Sequence, residues 1–274
     1  MKKISNYIHD VERFGFTPNQ IIDRVFNDRS ELPKILTVSV PKSGTNLLQR
    51  ILTLHPRLHR ALLPTLGNRN KKLWETWNNV FPKISSGQIC STHLDFNLEI
   101  ADYLVNKLGF RIIFVIRDPR DIVVSDMYYI EKRPDHGYYS ELGSMGSEKD
   151  RLTALIAGTS QIRPIVDQMA RFIGWQKYAS TTVKYEDMVG LGGGGDSEVQ
   201  INTISRIYED LNIPINSALL NSIAGASRSE KSQTFRKGTI GNWKEHFDEE
   251  LNATFKASTG NLLFDLGYES SEDW

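Results

Sequence analysis

Four short stretches of this chain carry residue types that can bind anions or move protons. The first is Pro41-Lys42-Ser43-Gly44-Thr45-Asn46. Lys42 brings a full positive charge, Thr45 and Asn46 bring donors, and Gly44 lets the backbone approach a ligand closely. At a helix start, free N–H groups and the helix dipole add to the pull on an anion. The stretch is not the nucleoside-triphosphate loop, because its lysine precedes its single glycine. The bland alternative is an ordinary capped turn.

The second stretch is Arg117-Asp118-Pro119-Arg120-Asp121-Ile122-Val123-Val124-Ser125. Arg117 offers a fork of donors, and Ser125 follows about two helical turns later; the pair suits a phosphate. The alternative is an Arg117 paired with a local acid and a neutral Ser125. The third stretch is Phe235-Arg236-Lys237-Gly238-Thr239-Ile240-Gly241-Asn242-Trp243-Lys244, whose glycines and cations can wrap an anion or form a solvated basic turn. The fourth is Ser91-Thr92-His93-Leu94, where a neutral histidine could accept a proton or serve only structure.

These stretches need elements to hold them. Ile35–Val40 is a nearly all-apolar, β-branched run, which suits a strand buried on both faces of a parallel sheet. Gly44–Leu54 then has helical spacing. The pattern recurs: strands are predicted over Gln88–Thr92, Arg111–Ile116 and Thr181–Lys184, and helices over Asn97–Leu108 and Pro119–Ile130. Proline at the first position of that last helix is favourable. A further amphipathic helix is predicted over Thr17–Arg29. Alternating strands and helices give an α/β class with a central parallel sheet flanked by helices. Ligands bind at the carboxyl ends of such strands, where each candidate stretch falls. Two segments read as irregular: Arg133–Glu148, and the glycine-rich connector Gly190–Ser197, with Asp196 or Ser197 able to cap the helix after it. One domain over 1–274 is expected.

Lys+Arg and Asp+Glu both number 33, so the net charge is zero, which argues against nucleic acid or another polyanion as the main partner. The single cysteine excludes a disulfide framework and a cysteine-rich zinc site. No apolar run approaches the ~18 residues of a membrane span, and the start of the chain has no leader pattern, so a cytoplasmic protein is expected.

Taken together and in this order, the stretches resemble the sulfotransferases that use 3′-phosphoadenosine-5′-phosphosulfate (PAPS), in their cytosolic-type, bacterial-like small-molecule form. PKSGTN is similar to that family's 5′-phosphosulfate loop, RDPRDIVVS to its 3′-phosphate motif, and FRKGTIGNWKEHF to its C-terminal RKGxxGxWK signature. Ser91-Thr92-His93 matches the place of its catalytic histidine, and Lys184-Tyr185-Glu186-Asp187-Met188 resembles its YEDM segment. The resemblance implies a P-loop-like fold and transfer of a sulfuryl group from PAPS to a small-molecule hydroxyl or nitrogen, leaving the 3′,5′-bisphosphate PAP. It implies His93 as general base and Lys42 as the charge on the leaving oxygen. Ser43, Gly44, Thr45 and Asn46 would join Lys42 around the 5′-phosphate. Arg117, Ser125, Arg236, Lys237 and Gly238 would hold the 3′-phosphate, and Tyr185 would contact adenine. No metal is implied. In the family the region matching Arg133–Glu148 shapes the acceptor site, so this segment is expected to be a mobile flap, with Tyr138, Tyr139, Leu142 and Met145 as acceptor surface.

The chain also departs from the family. Leu47 stands where many members carry an adenine-stacking tryptophan, and Ser91 replaces a lysine. The family's dimerisation signature is not recognisable, which leaves the oligomeric state open. The competing readings are a small-molecule kinase, with Asp118 ending a Walker-B-like strand, and a catalytically silent PAP-binding module.

Overall fold

A computed structural model describes residues 28–61, 66–67, 79–228, 238–271 and 274. The helix expected over Thr17–Arg29 lies, but for its last two residues, outside the described residues, as do Arg236 and Lys237.

Among the described residues six strands form one sheet: β1 Lys34–Ser39, β2 His59–Arg60, β3 Leu66–Gly67, β4 Gln88–His93, β5 Phe110–Ile116 and β6 Thr181–Lys184. Their order is β2-β4-β1-β5-β6, with β3 also on β4, and every pairing is parallel. The apolar runs form the middle of the sheet because both of its faces are covered; five of the six β1 residues and six of the seven β5 residues are buried. The register pairs Val38 with Thr92, so Ser39 and His93 end neighbouring strands on the carboxyl edge.

The helices, in chain order, are α1 Thr45–Thr53, α2 Leu98–Asp102, α3 Pro119–Glu131, α4 Tyr139–Gly143, α5 Glu148–Ala157, α6 Ile165–Ile173, α7 Tyr185–Met188, α8 Ser197–Asp210, α9 Ser217–Ala226, α10 Glu249–Thr259 and α11 Leu262–Asp265. Two compact units result. The first, drawn from 1–39, 44–116 and 174–239, holds the whole sheet with α1, α2, α7, α8 and α9. Leu48, Ile113, Ile204 and Tyr208 belong to one buried cluster there. Truncating such a side chain to alanine costs about 2–5 kcal/mol. The second unit, from 40–43, 117–173 and 240–274, is helical and packs α3, α5, α6 and α10 on one another.

Three expectations need correction. The helix predicted over Asn97–Leu108 is α-helical only to Asp102; Tyr103–Lys107 continues it as a π-turn. The Arg133–Glu148 segment is not an irregular loop. It contains α4, and Ser147 caps α5 in a reciprocal capping box with Asp150. Leu142, expected as acceptor surface, is buried core. The Gly190–Ser197 connector is capped by Asp196 as expected, through Glu198 N at 2.8 Å and Val199 N at 2.9 Å. It is not a free linker, however: it makes a 3₁₀ turn at Leu191–Gly193, and a Cβ on Gly193 would sit 2.6 Å from the Gly238 carbonyl. No helix among the described residues is long and apolar enough to cross a membrane.

Candidate active site

In the first unit the site is built on the carboxyl edge of β1 and β4. Gly44 precedes α1 with φ +96°, a left-handed conformation that favours glycine, and no side chain caps the helix. A helix start without a side-chain cap can offer first-turn N–H groups to an anion. A Cβ on Gly44 would collide with the Tyr185 ring, so the lack of a side chain here also serves that packing. Thr45 and Asn46 are half-buried at the helix start.

His93 ends β4, and its Nδ1 lies 2.9 Å from the carbonyl oxygen of Ser39. A carbonyl can only accept, so Nδ1 carries the proton; in the neutral ring the lone pair is then on Nε2, the tautomer a general base needs. The Ser39 hydroxyl lies 2.6 Å from Thr45 Oγ1 and 3.4 Å from His93 Nδ1. Beneath them is a buried polar layer: Ser91 Oγ is 2.6 Å from Thr37 Oγ1 and accepts from Gln49 Nε2. Ser91 thus has a structural task where the family often has a lysine. Leu47 packs against the core cluster. Past His93, the buried Trp175 indole donates to the Leu94 carbonyl at 2.9 Å and fixes the chain there.

In the second unit Lys42 has φ +70°. Its ammonium sits 4.0 Å from the centroid of the Tyr129 ring on α3, a cation–π contact. The Lys42 carbonyl accepts from Arg117 Nη1 at 3.2 Å, and Arg117 Nη2 lies 3.4 Å from Asp121. The local acid weighed as a partner for Arg117 is therefore present, and the same guanidinium braces the anion loop. Asp121 accepts from the backbone N–H groups of Gly241 and Trp243, each at 2.9 Å, and so ties the C-terminal motif to the start of α3. Burial pushes the Asp121 carboxyl above its usual range, opposed by Arg117 and the two amides.

Arg120 pairs with Asp118 and Glu269, both at 2.7 Å, between the rings of Trp243 at 4.0 Å and Trp274 at 4.4 Å. Burial works against its charge, but the two carboxylates outweigh it and raise its pKa. Ser125 lies half-buried on α3. The buried Ser43 hydroxyl and both polar side-chain atoms of Asn242 have no hydrogen-bond partner among the described residues. Such atoms are normally satisfied, and in an anion loop an anion would satisfy Ser43. Within the first unit the uncapped start of α1 suits a phosphate group; within the second, so do the buried Ser43 hydroxyl and the Lys42 and Arg117 cations.

Of the residues the sequence reading names, Gly44, Thr45, Asn46, His93, Tyr185 and Gly238 lie in the first unit, and Lys42, Ser43, Arg117, Ser125, Tyr138 and Tyr139 in the second. That reading misses Ser39, Asp121 and Tyr129. Ser39 closes an apolar run, and Tyr129 gives no signal before α3 is built. Asp121 sits in plain view inside RDPRD, where only its distance to the C-terminal loop reveals its task.

The profile of the Sulfotransferase domain matches residues 32–267. Sulfotransferase 6B1 of Danio rerio is 22% identical over 85% of this chain and 79% of its own length. Sulfotransferase 2B1 of Mus musculus is 25% identical over 81% of this chain and 68% of its own. Among solved structures, mouse sulfotransferase SULT7A1 complexed with PAP has a TM-score of 0.63 at 20% identity, covering 94% of this chain and 92% of that one. Retinol dehydratase in complex with androsterone and PAP has a TM-score of 0.57 at 15% identity, covering 95% and 94%. At these identities the structural likeness speaks for the fold.

Proposed function

The chain belongs to the sulfotransferase domain family and is a PAPS-dependent sulfotransferase; from that premise we propose that it uses His93 as general base to move a sulfuryl group onto a hydroxyl or nitrogen of a small molecule, acting as one catalytic domain. The observation that carries this reading is the 2.9 Å bond from His93 Nδ1 to the Ser39 carbonyl, because it leaves Nε2 able to take a proton.

PAPS supplies the sulfuryl group and PAP is the leaving group. As the acceptor oxygen or nitrogen bonds to sulfur, the bond from sulfur to the 5′-phosphate oxygen breaks, and His93 takes the acceptor's proton. Lys42 neutralises charge growing on that leaving oxygen. Its ammonium rests 4.0 Å from the Tyr129 ring centroid, a contact worth about 0.5–2 kcal/mol. The N–H groups of Ser43 to Asn46, with the Thr45 and Asn46 side chains, hold the 5′-phosphate. Arg117, Ser125, Arg236, Lys237 and Gly238 hold the 3′-phosphate, and Tyr185 contacts adenine. The uncapped α1 and the packing of Tyr185 on Gly44 support these roles.

Tyr138 and Tyr139 are proposed to contact the acceptor. Retinol dehydratase has been crystallised with androsterone and with retinol. Apolar alcohols therefore join phenols and amines in the first acceptor panel.

His93→Ala tests the assignment. Turnover of PAPS should fall about 10²–10⁴-fold while PAP binding is kept, since a positioned base is worth that much in rate. Retention of more than about a tenth of wild-type turnover would remove His93 from the role.

A further inference from the structure

Three hydrogen-bonding groups of the first unit form a chain. His93 Nδ1 meets Ser39 through its carbonyl at 2.9 Å and through its hydroxyl at 3.4 Å, and that hydroxyl meets Thr45 Oγ1 at 2.6 Å. Ser39 is fully buried, so water does not interrupt the chain at its middle. We propose that Ser39 is a positioning residue that couples the basicity of His93 Nε2 to the donor phosphate. The proposal rests on the reading of Thr45 as a phosphate ligand and His93 as the base.

The argument is a count of protons. A phosphate oxygen accepts and does not donate, and each hydroxyl has one proton to give. With a phosphate against Thr45, the Thr45 proton goes to the phosphate. Thr45 Oγ1 then accepts from Ser39, whose proton is thereby used. The Ser39 oxygen now offers only lone pairs to Nδ1, alongside those of its carbonyl. Every bond in the chain runs from the imidazole toward the phosphate, and the imidazole proton is held on Nδ1. Without the phosphate, the Ser39 and Thr45 hydroxyls can turn, and the chain has no fixed direction.

Aligned hydrogen bonds polarise one another, and an anion at the far end strengthens the alignment. The donor thus makes Nε2 a better proton acceptor at the moment an acceptor molecule needs one. The 3.4 Å step is the weakest link, so the effect is a modulation of the base and not its origin.

The test combines imidazole nitrogen NMR with kinetics on wild type, Ser39→Ala and Ser39→Thr. In wild type, PAP should move the His93 Nδ1–H and Nε2 signals toward a more strongly hydrogen-bonded Nδ1–H. Ser39→Ala keeps the carbonyl but should lose that PAP-induced shift. Its kcat should fall about three- to tenfold, a small part of what the base is worth, with the KM for PAPS changed by less than about twofold. Ser39→Thr, which restores the hydroxyl, should regain both. The proposal is overturned if Ser39→Ala keeps the shift and a kcat within about twofold of wild type, short of the expected fall. Should Ser39→Ala not fold, the wild-type titration decides alone, and His93 signals indifferent to PAP overturn the proposal. If His93→Ala keeps its turnover, the base assignment has failed instead, which separates the two claims.

Discussion

Lys42 holds a positive φ, which costs an L-residue about 1–2 kcal/mol, in a loop braced by Arg117 through its carbonyl. Strain kept at such a point is characteristic of a site that must present one side chain in one way. Lys42→Ala should lower kcat more than it raises the KM for PAPS, because charge on the leaving oxygen grows toward the transition state. A loss confined to KM would make Lys42 a binding residue only. Arg117 has two tasks, one toward the loop and one proposed toward the 3′-phosphate. Arg117→Ala should weaken PAP far more than AMP, which lacks that phosphate, since a charge-assisted contact is worth about 1.5–3 kcal/mol. Equal losses for both ligands would leave Arg117 with the loop alone. At this scale the sequence shows which residue types gather, but not which ones support them. Ser39 reads as the end of a strand until the register sets it beside His93.

The strands β1, β4, β5 and β6 are legible from composition because burial on both faces demands continuous apolar, β-branched runs. Helix α4 is not legible, since its five residues carry one buried apolar side chain, Leu142, and no period can be read from one position. The segment around it is tied down at both ends. Tyr138 accepts from Arg163 N at 3.3 Å, and Glu148 meets Tyr128 at 3.2 Å and His246 Nδ1 at 2.6 Å. Burial tends to raise the Glu148 pKa, but His246, Tyr128 and Arg151 outweigh it and hold the carboxyl below its ordinary 4.5. Folding therefore favours the ionised form. The stabilisation is full at neutral pH and is lost as pH falls below that ordinary value toward the folded one. Glu148→Gln should flatten the acid limb of thermal stability below about pH 5. An acid limb as steep as that of wild type would show that the pair does not contribute.

At the scale of the whole molecule, the motif order points to the sulfotransferase family, and the family match over 32–267 agrees; a small ligand held in a local cationic loop is the proposed reading. The acceptor was not legible, because the residues that would choose it carry no fixed motif, whereas the phosphate-binding residues must meet one invariant group. The central claim is that sulfur leaves PAPS for a small molecule. The measurement that tests it most directly follows sulfur-labelled PAPS with a pool of apolar alcohols, phenols and amines, counting label in the acceptors against PAP released. The account predicts equal amounts of both, together abolished in His93→Ala. Label that stays in PAPS, while labelled ATP with magnesium passes its terminal phosphate to the same pool, would contradict it.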